Sequence, residues 1–145
     1  MKGLIQRVKR ASVTIDGEKY SEIGQGILVL LGVEKGDSEQ NAEKLAGKIM
    51  KLRIFEDENG KMNKSVQDVK GEILVVSQFT LAGDCKKGTR PSFDKAELPQ
   101  RANELYEYFT GVIRQNNINA PTGVFGAMMD VELVNDGPVT FMVEK

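Results

Sequence analysis

Gly26-Ile27-Leu28-Val29-Leu30-Leu31-Gly32 contains the longest apolar run of the chain, and this run decides the fold class. An uninterrupted apolar run bounded by glycines predicts a strand that is buried on both faces. The run is far too short for a transmembrane helix, which needs about 20 apolar residues. The rest of the chain is therefore expected to pack around this strand.

Further strands are predicted on either side of this run. Between residues 11 and 15 apolar and polar side chains alternate, and Asp16-Gly17 then supplies a hairpin turn. Residues 72–76 predict a strand that continues directly into a polar segment. Near the C-terminus we expect strands around Val124, from Met128 to Val134 and from Val139 to Val143, with the last two joined by a turn.

Two helices complete the pattern. Asp37-Ser38 offers an N-cap, and apolar residues follow at helical spacing up to Met50. Gly47 costs this helix about 1 kcal/mol relative to alanine, which predicts close packing at that position. Pro99 suits the first position of a second helix, which carries an apolar stripe up to Ile113. Residues 1–145 are thus expected to form a single α+β domain with a curved, barrel-like mixed or antiparallel sheet and two main helices.

The composition excludes several kinds of active site. The chain has 145 residues and no histidine, so Ser-His-Asp triads, Cys-His pairs and imidazole metal ligands are absent. Cys85 is the single cysteine, which excludes an intramolecular disulfide and suits a reducing compartment. No ligand cluster is visible, so neither a metal nor a cofactor is expected. The N-terminus has no signal-peptide pattern, and we expect a cytoplasmic protein without membrane contact.

The charge pattern restricts nucleic-acid binding to local clusters. The formal net charge is −1, which provides no general attraction for phosphate. The cluster Lys86, Lys87 and Arg90 is the candidate phosphate contact. A solvated loop without a function is the alternative interpretation of the same residues.

Ser77-Gln78-Phe79-Thr80 is the first candidate for chemistry. On a strand, Ser77 and Phe79 would point to one face, and Gln78 and Thr80 to the other. Without histidine, neither hydroxyl is an activated nucleophile. The segment can instead supply backbone N–H donors and a carboxamide, which suit the oxyanion of an ester. The alternative is that these are ordinary polar residues where a strand leaves the core.

Asn135-Asp136-Gly137-Pro138 is the second candidate. An Asn-Asp-Gly sequence between apolar strands is most often a simple hairpin turn. The proline is unusual in a strand-rich region because it removes a hydrogen-bond donor. A cis form of the Gly-Pro bond would direct two consecutive carbonyls the same way and make a rigid backbone probe.

The chain resembles the D-aminoacyl-tRNA deacylase family, also called the D-tyrosyl-tRNA deacylases. The resemblance runs from one end of the chain to the other. Its residues are Leu4-Ile5-Gln6-Arg7-Val8, Ala11-Ser12-Val13, Gly32-Val33-Glu34, Lys61-Met62-Asn63, Ser77-Gln78-Phe79-Thr80-Leu81, Arg90-Pro91-Ser92-Phe93, Thr122-Gly123-Val124-Phe125 and Asn135-Asp136-Gly137-Pro138-Val139-Thr140. One local difference is Met128-Met129, where many relatives carry an acidic residue before the methionine.

The resemblance implies a homodimer that hydrolyses the ester of D-aminoacyl-tRNA, and also the ester of glycine mischarged on alanine tRNA. It implies a cis Gly137–Pro138 bond that reaches from one subunit into the active site of the other. Arg7 would then orient this Gly-Pro loop. The implied pocket residues are Ser77, Gln78, Phe79 and Thr80, and the implied border of the adenosine end is formed by Phe125, Met129 and Ala102.

The missing histidine fits this chemistry, because an aminoacyl ester is already activated. Our mechanistic hypothesis is that the 2′-hydroxyl of the substrate's terminal adenosine helps to activate water, while the backbone of Phe79 and Thr80 supplies oxyanion donors. A different hypothesis makes the Thr80 hydroxyl the nucleophile. Two other functions stay open at this point: a non-catalytic RNA-binding module that uses Lys86, Lys87 and Arg90, and a small-ester hydrolase that uses Thr80.

Overall fold

The strands form a curled, five-stranded mixed sheet and a separate two-stranded hairpin. A computed structural model describes all 145 residues of the chain. The strands are β1 (Lys2–Ile15), β2 (Glu18–Ile23), β3 (Gly26–Gly32), β4 (Phe55–Glu56), β5 (Met62–Lys64), β6 (Glu72–Ser77) and β7 (Asp130–Glu144). The helices are α1 (Glu39–Lys51) and α2 (Pro99–Gln115), and residues Phe79–Ala82 form a 3₁₀ turn. The predicted α+β class with two main helices is confirmed.

Strand β1 organises the sheet. One of its edges pairs antiparallel with β3 along the first half and with β2 along the second half. Its other edge pairs antiparallel with β7. Strand β3 also pairs with β6, and this pairing is parallel. The predicted burial of β3 is confirmed, since every residue of the strand except Leu30 is buried.

The core lies on both faces of the sheet. The larger cluster packs one face against α1 and α2, and the smaller cluster occupies the opposite face. Helix α1 begins after Ser38, whose side chain and backbone form a capping box with Asn41. Helix α2 begins at Pro99, as predicted. Neither helix is long and apolar enough to cross a membrane.

Gly47 is not closely packed, contrary to the sequence prediction. A Cβ atom added at this position would meet nothing within 4 Å. Gly26 shows the opposite situation, because its Cβ would lie 1.9 Å from the carbonyl oxygen of Glu72. The pairing of β3 with β6 therefore requires glycine at position 26, whereas α1 does not require glycine at position 47.

Gly47→Ala is expected to raise the free energy of unfolding by about 1 kcal/mol. Alanine loses less backbone entropy in a helix than glycine does, and its methyl group has free space here. Urea denaturation of the variant beside the wild type measures the change. Gly26→Ala is the opposing control and should unfold at much lower urea. A Gly47→Ala protein less stable than the wild type would contradict the finding that a Cβ atom at position 47 has free space.

The predicted turn at residues 135–138 is wrong. Residues Asp130–Glu144 form one strand, and both halves of it pair with β1 in the same direction, so the chain does not reverse. Gln6 pairs with Thr140 and Val8 pairs with Asn135. Residues 136–139 therefore bulge out of the strand opposite the single residue Arg7. The predicted strand around Val124 is also absent, because only an isolated bridge from Thr122 to Val75 forms there.

Candidate active site

The polar segment 77–80 lies where β6 leaves the sheet. Ser77 is the last residue of β6 and pairs with Leu31. The Gln78 amide donates to the Leu31 carbonyl at 2.7 Å, and the backbone then tightens into the 3₁₀ turn that begins at Phe79. The strand alternation expected for residues 77–80 thus ends at Gln78, and both Phe79 and Thr80 are exposed.

The amides of Phe79 and Thr80 are candidate donors to a ligand. The first N–H groups of a helical turn have no acceptor within that turn. None of the turn, loop and side-chain hydrogen bonds of the chain uses either amide. Two adjacent backbone donors at an exposed strand end can stabilise the negative oxygen that forms when an ester is attacked.

The Thr80 hydroxyl is positioned but not activated. The Gln78 side chain donates to Thr80 Oγ1 at 2.6 Å, and no titratable side chain hydrogen-bonds to this hydroxyl. A nucleophilic hydroxyl needs a base within hydrogen-bond reach. The geometry therefore suits a role in binding rather than in covalent catalysis.

The basic loop is attached to the polar segment through two aromatic rings. The ring centroids of Phe79 and Phe93 lie 5.0 Å apart. Asp84 and Ser92 close the loop with two backbone hydrogen bonds of 2.8 and 3.0 Å. The exposed cations that the loop carries beside the polar segment are Lys86, Lys87 and Arg90. Phe93 was not predicted as a site residue, but it belongs to the Arg90-Pro91-Ser92-Phe93 motif of the family resemblance, and that motif is the sequence feature that could have indicated it.

Two of the three predicted adenosine-border residues lie around one buried tyrosine. Ala102 and Tyr106 are both buried and lie one helical turn apart on α2. The Phe125 ring centroid is 6.0 Å from that of Tyr106. Burial raises the pKa of Tyr106 to about 12, so the hydroxyl stays protonated and donates to the Val75 carbonyl at 2.9 Å. Sequence reasoning missed Tyr106 because it lies within the apolar stripe of the helix.

Met129 lies beside the loop that carries Phe125. Its sulfur accepts the Val124 amide at 3.4 Å. A Cβ atom added at Gly123 would lie 2.5 Å from this sulfur and 3.8 Å from Val76 in β6. The loop at residues 122–125 therefore packs Met129 next to the strand that ends at Ser77.

Arg7 holds the bulge of β7. Only 5% of Arg7 is exposed. Its Nε donates to the Asp136 carbonyl at 3.0 Å, and its Nη1 donates to the Ile54 carbonyl at 2.7 Å. Neither acceptor was predicted, since a backbone carbonyl can come from any residue type.

Gly137 and Pro138 are exposed at the tip of this bulge, and the peptide bond between them is cis. Gly137 has a φ of +129°, a conformation that L side chains rarely adopt. A Cβ atom there would lie 2.8 Å from the Val139 side chain and 3.1 Å from Arg7 Nη2. The bulge thus requires glycine at position 137.

The predicted site residues form two groups within one chain. One group contains the polar segment, the basic loop and the adenosine border, and the other contains Arg7 with the Gly-Pro bulge. No hydrogen bond or ion pair joins the bulge residues 136–139 to residues 77–80. No group of three or more Cys, Asp or Glu side chains in the chain could hold a metal ion.

Comparisons with known proteins identify the family. The family model described as D-Tyr-tRNA(Tyr) deacylase matches residues 4–144. A D-aminoacyl-tRNA deacylase of Geotalea daltonii is 60% identical over 144 residues, which cover 99% of this chain and 96% of the relative. The chain belongs to this family. A second relative, the D-aminoacyl-tRNA deacylase of Pseudoalteromonas translucida, is 62% identical over 141 residues and 97% of each chain.

Solved structures share the fold of this chain. A structure titled c-Myc DNA Unwinding Element Binding Protein is 46% identical, has a TM-score of 0.94, and is matched over 100% of this chain and 99% of its own length. A structure titled as a probable eukaryotic D-amino acid tRNA deacylase is 17% identical, with a TM-score of 0.85 over 99% and 98% of the two chains. At that identity the second likeness concerns the fold alone.

Arg7→Lys is expected to lower the free energy of unfolding of this deacylase-family chain by roughly 1.5–3 kcal/mol. A lysine ammonium cannot reproduce the planar fork that bonds the Asp136 and Ile54 carbonyls together. Urea denaturation is the measurement. Arg10→Lys is the matched control, since Arg10 is an exposed member of β1 and its ion pair with Glu132 spans 3.7 Å. Equal stability of the two variants would contradict the structural role of Arg7.

Proposed function

We propose that the chain hydrolyses the ester bond that joins a D-amino acid to the terminal adenosine of tRNA, and releases the free D-amino acid and the tRNA. The observation that carries the proposal is the family match over residues 4–144, together with relatives named D-aminoacyl-tRNA deacylase at 60–62% identity. As a member of this family the chain is a hydrolase of an aminoacyl ester. Glycine mischarged on alanine tRNA is a second proposed substrate, because glycine has no side chain to reject.

The segment Ser77, Gln78, Phe79 and Thr80 is proposed to hold the ester. Phe79 and Thr80 are exposed, and their amides, which make none of the turn and loop hydrogen bonds, donate to the oxyanion, a contribution of about 2.7–4 kcal/mol for one such donor. The attacking water is activated with the help of the 2′-hydroxyl of the terminal adenosine. This assignment is supported by the Thr80 hydroxyl, which accepts a hydrogen bond from Gln78 and has no base beside it.

The terminal adenosine is proposed to lie against Ala102, Phe125 and Met129. Ala102 lies on α2 and Phe125 on the loop at residues 122–125. Met129 packs between that loop and the end of β6. Lys86, Lys87 and Arg90 then contact phosphates of the tRNA, since their loop is tied to Phe79 through Phe93. Contacts of this kind make binding weaker as salt rises.

Rejection of L-aminoacyl esters is proposed to come from the backbone of Gly137 and Pro138 of a second subunit. Their carbonyls would crowd the side of the substrate Cα on which an L side chain projects. Selection at Cβ is independent of what the side chain is, so D residues of many sizes are accepted. The proposal is supported by the exposure of the bulge and by the absence of any hydrogen bond from it to residues 77–80 within one chain.

The homodimer that this filter needs is supported by an apolar strip on the sheet. Leu4 pairs with both Leu30 and Met142, so the three side chains share the face opposite the helices. Between Met142 and the Gly-Pro bulge this face of β7 carries Thr140, which pairs with Gln6. Leu4 and Leu30 are only half-buried and Met142 is 48% exposed, so apolar area on this face is left for a second copy to cover.

Met142→Glu is expected to convert the dimer into a monomer, because a buried carboxylate without a partner opposes association. Phe141→Glu is the matched control, since Phe141 is 44% exposed but points to the other face of the same strand. Sedimentation velocity at micromolar protein measures both. A wild type that sediments with the 16.0 kDa mass of one chain would rule out the dimer.

The experiment that tests the function is a deacylation time course on D-Tyr-tRNA and L-Tyr-tRNA in parallel at fixed, moderate salt. Loss of the D ester with the L ester spared supports both the activity and the filter. Steeply salt-dependent tRNA binding without loss of either ester would instead indicate a non-catalytic RNA-binding module. Turnover of simple esters without tRNA would indicate a small-ester hydrolase.

A further inference from the structure

A groove of about 550 Å³ lies along α2 and is lined in part by Phe125. Phe125 and Tyr106, whose ring centroids lie 6.0 Å apart, both line this groove, and Phe125 also belongs to the proposed adenosine border. The other residues that matter for its chemistry are Tyr20, Asn103, Glu107 and Arg114. None of these four has a role in the ester chemistry proposed above.

Tyr20 projects into the groove from an irregular point of β2. In the pairing with β1, Ser21 lies opposite Val13 and Lys19 lies opposite Thr14, so Tyr20 is an extra residue without a partner. A bulge of this kind redirects a side chain and is frequent beside active sites. The Tyr20 side chain is 55% exposed, which leaves its ring available to a ligand.

The bulge is fixed relative to the adenosine border. The Ser21 hydroxyl, next to Tyr20, donates to the Thr122 carbonyl at 2.8 Å. Thr122 begins the loop that carries Phe125, so this bond fixes β2 relative to that loop, and both aromatic side chains line the same groove. This bond positions Tyr20 to contact the part of a ligand that extends beyond a group bound at Phe125.

The polar groups of the groove suit a nucleotide better than a bare anion. Arg114 donates from both Nε and Nη2 to the Ala120 carbonyl, at 3.0 and 2.7 Å, which holds its guanidinium at the groove wall. Glu107, which accepts a hydrogen bond from the Asn103 side chain at 3.2 Å, adds a negative charge to the lining, so the groove has no excess of cations for phosphate alone. Asn103 and an exposed aromatic ring are the groups that recognise the edge and the face of a nucleobase.

We propose that this groove holds the nucleotide that precedes the terminal adenosine of the substrate, a cytidine in tRNA. Its base stacks on the Tyr20 ring, and the phosphate that links it to the adenosine lies toward Arg114. The proposal rests on the proposed function, which places the adenosine at Phe125. On this assignment the protein binds an RNA end more tightly than a free aminoacyl nucleoside.

Binding of hydrolysis-resistant 3′-amide analogues tests this assignment. Isothermal titration calorimetry compares the affinity for D-tyrosyl-adenosine with the affinity for D-tyrosyl-cytidylyl-adenosine, which adds only the preceding nucleotide. We expect the wild type to bind the dinucleotide about tenfold more tightly, in the range of one base stacked on an aromatic ring. Tyr20→Ala should lose this gain and Tyr20→Phe should keep it. Tyr108→Ala is the matched control, since Tyr108 is also exposed but faces Glu43 of α1, and it should keep the gain.

Two results would overturn the assignment. One is equal affinity of the wild type for the two analogues. The other is an equal weakening of both analogues by Tyr20→Ala, which would mean that Tyr20 only supports the packing near Phe125. Turnover of D-Tyr-tRNA is measured on the same proteins. A wild type that keeps the tenfold gain in binding but releases no D-tyrosine would support the groove and contradict the proposed hydrolysis alone.

Discussion

Replacing the 2′-hydroxyl of the terminal adenosine with hydrogen is expected to slow hydrolysis of the D-tyrosyl ester by about 10²- to 10⁴-fold. This is the range that a positioned group contributes when it moves a proton in the transition state. The chain has no histidine to take that role. Under the proposed mechanism the substrate itself supplies the group, and removing it leaves only positioning and the oxyanion donors.

Thr80→Ala is expected to slow the same reaction by less than about tenfold, because it removes one hydrogen-bond acceptor of Gln78 and no catalytic base. Single-turnover rates on matched tRNAs, with the 2′-deoxy change at the terminal adenosine or at the preceding nucleotide, make the comparison. The second tRNA is the control and should react almost normally. An acyl-enzyme trapped on Thr80, or a larger effect of Thr80→Ala than of the terminal deoxy change, would establish Thr80 as the nucleophile.

Gly137→Ala is expected to lower the ratio of kcat/KM for D-Tyr-tRNA to that for L-Tyr-tRNA by about 10- to 200-fold, the range over which one methyl-sized contact discriminates. The added Cβ would lie 2.8 Å from the Val139 side chain, and the φ of +129° disfavours alanine, so the tip of the bulge must move. A displaced tip no longer crowds the L side chain. Activity on the glycine ester should change little, since glycine has no Cβ to meet the filter.

Gly36→Ala controls for the strain of the substitution. Gly36 also has a positive φ, of +91°, but it is exposed in the turn before α1 with nothing within 4 Å of an added Cβ. Pro138→Ala is a second variant that alters the tip without adding a clash at position 137. The Gly137→Ala and Pro138→Ala proteins must both sediment as dimers for the comparison to apply. A preserved D/L ratio in a Gly137→Ala or Pro138→Ala dimer would be evidence against the cross-subunit filter.

Under the proposed function the Gly-Pro bulge acts only in a dimer, so the Met142 and Gly137 variants test one another. A Met142→Glu monomer keeps residues 77–80 and the adenosine border within its own chain. If the partner supplies the filter, this monomer should lose selectivity for the D ester rather than only its rate. If the monomer loses rate but keeps the ratio of kcat/KM for the D ester to that for the L ester, the source of selectivity lies within one subunit.

Local sequence patterns predicted most elements of this fold. The apolar run at β3, the N-cap at Ser38 and the proline at the start of α2 each act within a few residues, where periodicity and capping report directly on structure. Composition was equally informative about mechanism, because the absence of histidine excludes the common triads whatever the fold. The family resemblance extended these local observations to the complete chain.

Tertiary pairing decided what the local patterns could not. Residues 135–138 have the composition of a hairpin turn, yet they form a bulge in one strand because both flanking segments pair with β1. Gly47 and Gly26 are the same residue type, and only the position of neighbouring backbone separates a tolerant site from one that requires glycine. The carbonyls that hold Arg7 and the unpaired place of Tyr20 in β2 depend on register across strands, which residue type does not specify. The sequence alone thus determined the fold class, the family and the candidate site segments, because these depend on residue type and local order. Their arrangement into a site and a bulge came only from the tertiary structure, because backbone contacts between distant segments place them.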